Sequence, residues 1–289
     1  MLVATCNVNG IRAAVRKGMQ EWIASVRPDV LLLQEMRAPE ELVPGLVGSD
    51  YQILQQACEI KGRAGVAIAV KQGLDIGRVS IGLGADLPDA DPDADATTAW
   101  DRPAEPAVDT GRWVEVDIPQ LHTTFISAYL HSGNASDEPK MAAKYSHLDR
   151  VSTRLVQLQR HRHPDMPHIV MAGDFNIVHT ERDITNWRSN HNKTAGVLDP
   201  EIAYLDKWMG EFGYVDVQRS LIGDEQAEYT WWSQRGKAFE NNVGWRIDYH
   251  LATPALAQRA QSVRIDRADS YDMRWSDHAP LLVTYDVEN

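Results

Sequence analysis

A strand that is apolar at every position can only lie between two covering layers, and this chain carries several. Val30-Leu31-Leu32-Leu33, Val66-Ala67-Ile68-Ala69-Val70 and Ile169-Val170-Met171-Ala172 have no polar face to turn toward water. Strands are expected at Leu2–Cys6, Val30–Leu33, Tyr51–Gln55, Val66–Val70, Trp113–Ile118, Thr124–Tyr129, Ile169–Ala172, Ile247–Ala252 and Leu281–Tyr285. Helices are expected at Met19–Val26, Lys140–His161 and Pro200–Phe212. In the second, Met141, Tyr145, Leu148, Val151, Leu155 and Leu158 recur every three or four residues and so share one face. Pro28 and Pro164 follow two of the helix ends, where a residue that cannot continue a helix belongs. The pattern implies an α/β protein with two β-sheets packed face to face and helices on the outside. With 289 residues and no internal repeat or linker, it reads as a single domain over 1–289.

The net charge is −12, an awkward value for a partner of phosphate groups. Much of it is local. Between Gly84 and Gly111 stand Asp86, Asp89, Asp91, Asp93, Asp95, Asp101, Glu105 and Asp109 against one base, Arg102. With four prolines this 84–111 stretch reads as an exposed, mobile acidic loop insertion, which leaves room for a basic groove elsewhere. No apolar run approaches the length of a membrane span. The apolar start, Leu2 to Cys6, lacks a basic lead-in and reads as a buried strand, not a signal peptide. Cys6 and Cys58 make no disulfide framework; reduced thiols in the cytoplasm are expected.

The chemistry sits at strand ends. Leu2–Cys6 runs into Asn7 and Asn9, Val30–Leu33 into Gln34 and Glu35, and Phe125–Ala128 into Tyr129 and His131. Ile169–Ala172 runs into Gly173, Asp174 and Asn176; Asp248 opens one strand, and Ser276-Asp277-His278 precedes the last. One such residue alone is usually a turn former. Repeated on strand after strand, they deliver oxygen and nitrogen ligands to one edge, where α/β enzymes build sites. Glu35, Asp174, Asp248 and Asp277 with several amides and one histidine are hard ligands suited to Mg²⁺ or Mn²⁺, not to a structural zinc. There is no Walker-type loop and no nucleophile elbow.

These motifs resemble those of the exonuclease III / AP-endonuclease family. Thr5-Cys6-Asn7-Val8-Asn9-Gly10-Ile11-Arg12-Ala13 is similar to its first motif and Leu33-Gln34-Glu35 to its second. Gly173-Asp174-Phe175-Asn176, Trp245-Arg246-Ile247-Asp248-Tyr249 and Ser276-Asp277-His278-Ala279-Pro280 resemble the later ones, in the family's order and over nearly the whole chain. The resemblance implies a four-layered α/β sandwich of two mixed sheets. It implies metal binding by Glu35, with Asn7 and Asp277 close to the ion. Asp174 would orient and deprotonate water, with Asn176 fixing the phosphate or Asp174. His278, paired with Asp248, would contact a phosphate oxygen, and Tyr129 would contact the phosphate or assist the leaving group. Whether Asp174 or His278 is the general base stays open. Trp231, in Thr230-Trp231-Trp232, and Trp245 resemble the pocket for an extruded abasic sugar. Arg12, Arg37, Arg188, Asn190, Lys193 and Arg235 are candidate backbone contacts.

The resemblance therefore implies a Mg²⁺-dependent enzyme, with Mn²⁺ able to substitute. It would cut double-stranded DNA 5′ to abasic sites and trim blocked 3′ ends, as a cytoplasmic monomer that associates with the nucleoid through DNA. The alternative keeps the chemistry and changes the substrate to RNA, inositol phosphates or phospholipid head groups. Two features depart from the family pattern: His131-Ser132-Gly133 after Tyr129-Leu130, and the length of the acidic insertion.

Overall fold

The computed structural model describes residues 1–83, 105–160 and 163–287. Its first part runs β1 (Leu2–Asn7), α1 (Ile11–Arg16), α2 (Met19–Val26), β2 (Val30–Gln34), α3 (Val43–Val47), β3 (Tyr51–Gln56), β4 (Val66–Lys71) and β5 (Val79–Ile81). There follow β6 (Trp113–Ile118), β7 (Thr123–Tyr129), α4 (Glu138–Arg160), β8 (His168–Asp174), α5 (Trp187–Asn190), α6 (Asp199–Gly210), β9 (Val215–Asp216) and α7 (Val217–Ile222). The chain closes with β10 (Trp231–Trp232), β11 (Gly244–Trp245), β12 (Asp248–Ala252), α8 (Pro254–Ala257), β13 (Ala260–Ile265) and β14 (Leu281–Tyr285).

Two six-stranded sheets have the orders β13-β14-β1-β2-β4-β3 and β5-β6-β7-β8-β12-β9. Each is mixed: β1–β2 and β7–β8 are parallel, and the neighbouring pairs are antiparallel. Alternation within the apolar strands makes the layers. Val3, Val30, Leu32, Ile68 and Val70 face Val114, Val116, Phe125, Val170 and Ala172 of the other sheet. Their sequence neighbours Ala4, Leu31, Leu33, Ala67 and Ala69 pack outward with Ile11, Met19 and Ile23 of α1 and α2. Trp113, Ile126, Ala128, Ile169 and Met171 do the same with Leu148, Val151 and Leu155 of α4 and with Leu205 and Trp208 of α6. The result is the four-layered sandwich, helix–sheet–sheet–helix. Burying both faces of the central strands is its main source of stability.

Buried charge supports the frame in several places, the Arg246 and Asp109 clusters among them. Arg246, fully buried just ahead of β12, donates Nε–H to Asp183 (2.8 Å), pairs with Asp216 (2.8 Å) and stacks on Tyr249. This fixes the approach of Trp245 and Asp248. Arg246→Met leaves the buried Asp216 without its cation and Asp183 with Arg219 alone. We expect a loss of ~3–5 kcal/mol in urea unfolding, because a buried charge stripped of its counterion keeps its desolvation cost.

The second of these corrects the sequence reading of the acidic insertion. Residues 84–104, with most of its acids, lie outside the described residues, but Asp109, Thr110 and Gly111 are buried in the fold. Glu105 accepts the Leu83 N–H (2.6 Å) and the Gln56 amide (3.1 Å). Asp109 is buried, takes a hydrogen bond from His131 and forms an ion pair with Arg150 of α4. Asp109 escapes water because its partners are supplied from 22 and 41 residues away. His147 Nδ1 lies 3.7 Å from Asp109, so one carboxylate and two imidazoles gather as they do around metals. Here Arg150 already balances the carboxylate, and burial holds His131 and His147 below the usual histidine range, neutral. A divalent ion there would add uncompensated charge.

Candidate active site

The pairing registers place the predicted strand-end residues side by side. Asn7 is paired with Gln34 in one sheet; Tyr129 and Asp248 both lie opposite Asp174 in the other. The sheets are stapled at this edge by the Asn7 amide, which donates to Asp174 Oδ2 (2.9 Å). Asn176 adds its backbone N–H to Asp174 Oδ1 (2.9 Å) and its side-chain amide to Oδ2 (3.2 Å). His278 donates Nδ1–H to Asp248 Oδ2 (2.8 Å), and its Nε2 lies 3.7 Å from Asp174. Asp248 is in turn set by Thr230, whose hydroxyl oxygen accepts the Ile247 and Asp248 N–H groups (3.2 and 3.1 Å).

In front of this floor, the Asn9 amide donates to Asp277 Oδ1 (2.8 Å) while its backbone N–H binds Asn7 Oδ1 (2.9 Å). Glu35, the residue after β2, forms an ion pair with Arg37. Asn9, Glu35, Arg37 and Asn176 all hold positive φ, between 45° and 57°. Side chains rarely adopt that backbone, and such strain collects where function fixes geometry.

The cleft above measures about 570 Å³. It is lined by Asn7, Asn9, Glu35, Tyr129, Asp174, Asn176, Asp277 and His278 on the floor, and by Arg37, Lys193, Trp231 and Trp245 toward the rim. Trp231 and Trp245 meet edge to face on the small β10–β11 hairpin, ring centres 5.4 Å apart. Trp232 points the other way, into a cluster with Phe239. Asp248 lies behind His278, outside the lining. Arg12 and Arg188 are exposed but are not brought to the cleft, and Arg235 is likewise absent from its wall. Asn190 spends its side chain on its own loop, donating to Asn186 O (2.8 Å) and accepting from Thr194 (3.0 Å). The remaining wall is Ser132–Ser136 with Thr194 and Ala195; Lys193-Thr194-Ala195-Gly196 resembles the family's DNA-facing loop and Ser132-Gly133 departs from its pattern, whereas Asn134, Ala135 and Ser136 were missed by sequence reasoning. Small polar residues in a loop carry no signal of their own.

Electrostatics follow from the crowding. Burial pushes the Asp174 carboxyl up, helped by Asp248 and opposed by His278 and the amide donors. Burial pulls His278 down, but Asp248 and Asp174 on either side outweigh it and hold the imidazole protonated above its usual range. Burial works against Asp277 too, yet His278 and Asn9 keep it below the usual carboxylate range. Tyr129 is raised by burial and by Glu35 and Asp174, so it stays a phenol and an O–H donor. Cys6, beneath the floor, is kept a thiol by burial and by Asp248, Asp277 and Asp174.

Asp174, Asp248 and His278 lie within 4.8 Å of one another, but an imidazole that keeps both protons offers no lone pair to a metal. The oxygens of Glu35, Asn7 and Asp277 open on the same cleft and make the hard donor set that a divalent cation takes. The residues present therefore fit such an ion.

Two packed sheets that offer carboxylates, amides and a carboxylate-backed histidine at one edge define a phosphoester hydrolase. The chain belongs to the endonuclease/exonuclease/phosphatase family, whose model matches residues 4–278. It falls with the exonuclease III / AP-endonuclease members. It is 25% identical to an exodeoxyribonuclease of Bacillus subtilis over 99% of this chain and 100% of that one. It is 24% identical to a DNA-(apurinic or apyrimidinic site) endonuclease of Dictyostelium discoideum, over 99% of this chain and 71% of the other. Among solved structures, an AP endonuclease from Archaeoglobus fulgidus superposes with a TM-score of 0.78 at 27% identity, covering 99% and 100% of the two chains. A Neisseria 3′ phosphatase, NExo, bound to a product DNA hairpin gives 0.79 at 25% identity, with 99% of each chain covered. Among the described residues no helix is long and apolar enough to cross a membrane.

Proposed function

We propose that this chain is a Mg²⁺-dependent DNA-repair nuclease that cuts the phosphodiester 5′ to abasic sites and clears blocked 3′ ends, leaving a 3′-hydroxyl. The observation that carries this reading is the position of Asp174. It lies buried between the amides of Asn7 and Asn176 and beside a histidine held by Asp248, at the floor of a cleft rimmed by Trp231 and Trp245. Glu35, Asn7 and Asp277 would hold the cation, with Mn²⁺ able to replace Mg²⁺. When bound, the ion offsets the negative charge that makes a phosphodiester repel its nucleophile.

The chain's own groups do the rest. Asp174, with both oxygens oriented by N–H donors, accepts the proton of the attacking water. His278, between two carboxylates, keeps its proton and gives Nε2–H to a non-bridging phosphate oxygen, where charge grows in the transition state. This assigns the base to Asp174 and the electrophile to His278. Tyr129 offers its O–H to the phosphate or the departing oxygen. Lys193 and Arg37 neutralise phosphate charge, and the tryptophan edge receives a sugar whose lost base makes extrusion cheap.

The test is a 5′-labelled duplex with one abasic site, incubated with and without EDTA. The expected product is a single 3′-hydroxyl fragment ending just 5′ of the lesion, absent with EDTA, and with a rate at low substrate that falls steeply as salt rises. An intact duplex alongside rapid hydrolysis of RNA or inositol phosphates would refute the DNA assignment.

A further inference from the structure

Behind the wall formed by Ser132–Ser136 and Thr194–Ala195 lies an ion pair that no reaction step uses. Lys144 of α4 and Glu201 of α6 are fully buried, Nζ and Oε1 2.6 Å apart. Lys144 also donates to the backbone oxygens of Asn176 (3.0 Å) and Ser132 (3.3 Å). Glu201 Oε2 accepts the N–H groups of Gly196 (2.6 Å) and Leu198 (3.1 Å). One pair thus ties together the segment carrying Asn176, the segment opening Ser132–Ser136 and the segment closing Lys193–Ala195, all of which line the cleft.

The backbone is drawn tight around this tie. A Cβ at Gly133, whose φ is +70°, would lie 2.7 Å from Met141 Sδ and 3.1 Å from Lys144 Cδ. A Cβ at Gly196, φ +90°, would lie 2.8 Å from the Asn176 oxygen. Stability alone does not explain the pair, since desolvating two charges costs about what their attraction returns and an apolar couple of equal volume often serves as well. Four backbone groups fixed at once are something an apolar couple cannot provide.

We propose that Lys144 and Glu201 are positioning residues for the reaction. Neither touches substrate; together they set the distance between Asn176 and the two loops that wall the cleft, and so the seat of the scissile phosphate beside Asp174. The proposal rests on the phosphodiesterase reading of this site. It predicts that breaking the tie lowers kcat while KM hardly moves, because a misplacement of about 1 Å can cost ~10²-fold in rate.

Two variants test it. E201Q keeps the side-chain volume but has a single acceptor oxygen, so it serves either Lys144 or the two backbone amides. K144M/E201L removes both charges and leaves no lone ion in the interior. Each is assayed for kcat and KM on the abasic duplex and for its urea midpoint. We expect kcat to fall ~10–100-fold in both, with KM within ~3-fold and E201Q unfolding near the wild-type midpoint. Wild-type kcat in folded E201Q overturns the proposal, whatever the double variant does. A rise in KM at unchanged kcat overturns it as well. If the wild type cleaves some other phosphodiester instead, the same comparison is made on that substrate, so failure of the DNA assignment and failure of the positioning role remain distinct.

Discussion

Asp174→Asn should lower single-turnover cleavage of an abasic duplex by ~10³-fold or more, the scale of a lost general base together with the charge that orients water. The substitution is isosteric, yet three donors converge on this carboxylate: the Asn7 amide, the Asn176 amide and the Asn176 N–H, with His278 Nε2 close by. An amide in its place has one acceptor oxygen and presents an NH₂ to at least one of them. The site loses its proton acceptor and its negative charge in one step. DNA affinity should be kept or slightly tightened, since Lys193, Arg37 and the tryptophan rim are untouched and an anion near the phosphate is gone. Fluorescence anisotropy for Kd and quenched-flow for the rate separate the two. A variant within about tenfold of the wild-type rate would put the base elsewhere.

The frame was legible because its signals are local. Trp113–Ile118, Leu281–Tyr285 and Met19–Val26 have the bounds read from apolar pattern and breakers, and other expected strands differ by one or two residues at their ends. Strand β13 was not read: Ala260-Gln261-Ser262-Val263-Arg264-Ile265 is a largely exposed edge strand whose apolar Ala260, Val263 and Ile265 do not keep a regular alternation. Helix α1, six residues after Gly10, is too short to show a period.

Within the site, Asn7, Glu35, Tyr129, Asp174 and Asn176 were legible because each stands where an apolar run stops, and pairing register does the rest. Asp109, Lys144 and Glu201 were not, since a sequence gives no partner for a charge 41 or 57 residues away. One signal existed. Lys144 falls three residues after Met141 and four before Leu148, on the apolar stripe of α4 where a solvated lysine does not belong.

Glu35→Ala should cost on the order of 10²–10³-fold in kcat at saturating DNA, with part of the loss recovered when Mn²⁺ replaces Mg²⁺. Among the described residues, Glu35 is the carboxylate of the cleft that takes no hydrogen bond from an amide or imidazole; its partner is the cation Arg37. It is the group freest to turn to a metal. Removing it leaves the oxygens of Asn7 and Asp277, too few anionic ligands for Mg²⁺, which demands near-ideal octahedral oxygen geometry. Mn²⁺ accepts more varied donors and should bind the residual site better. The check is a metal titration of kcat for both ions. The expected signature is a requirement shifted to higher metal concentration. An equal fall at all concentrations of either ion would instead mean that Glu35 acts on the substrate.

The most direct measurement is metal binding itself, without DNA. Metal-free protein titrated with Mn²⁺ reports the bound fraction through loss of the free-ion electron paramagnetic resonance signal. We predict that the E35A/D277A double variant binds at least ~10²-fold more weakly than the wild type, whereas H131A, which removes a donor from the buried Asp109 cluster, binds as the wild type does. Undiminished Mn²⁺ binding by E35A/D277A, or its loss in H131A, would contradict the claim that one hard cation is held where the strand ends meet.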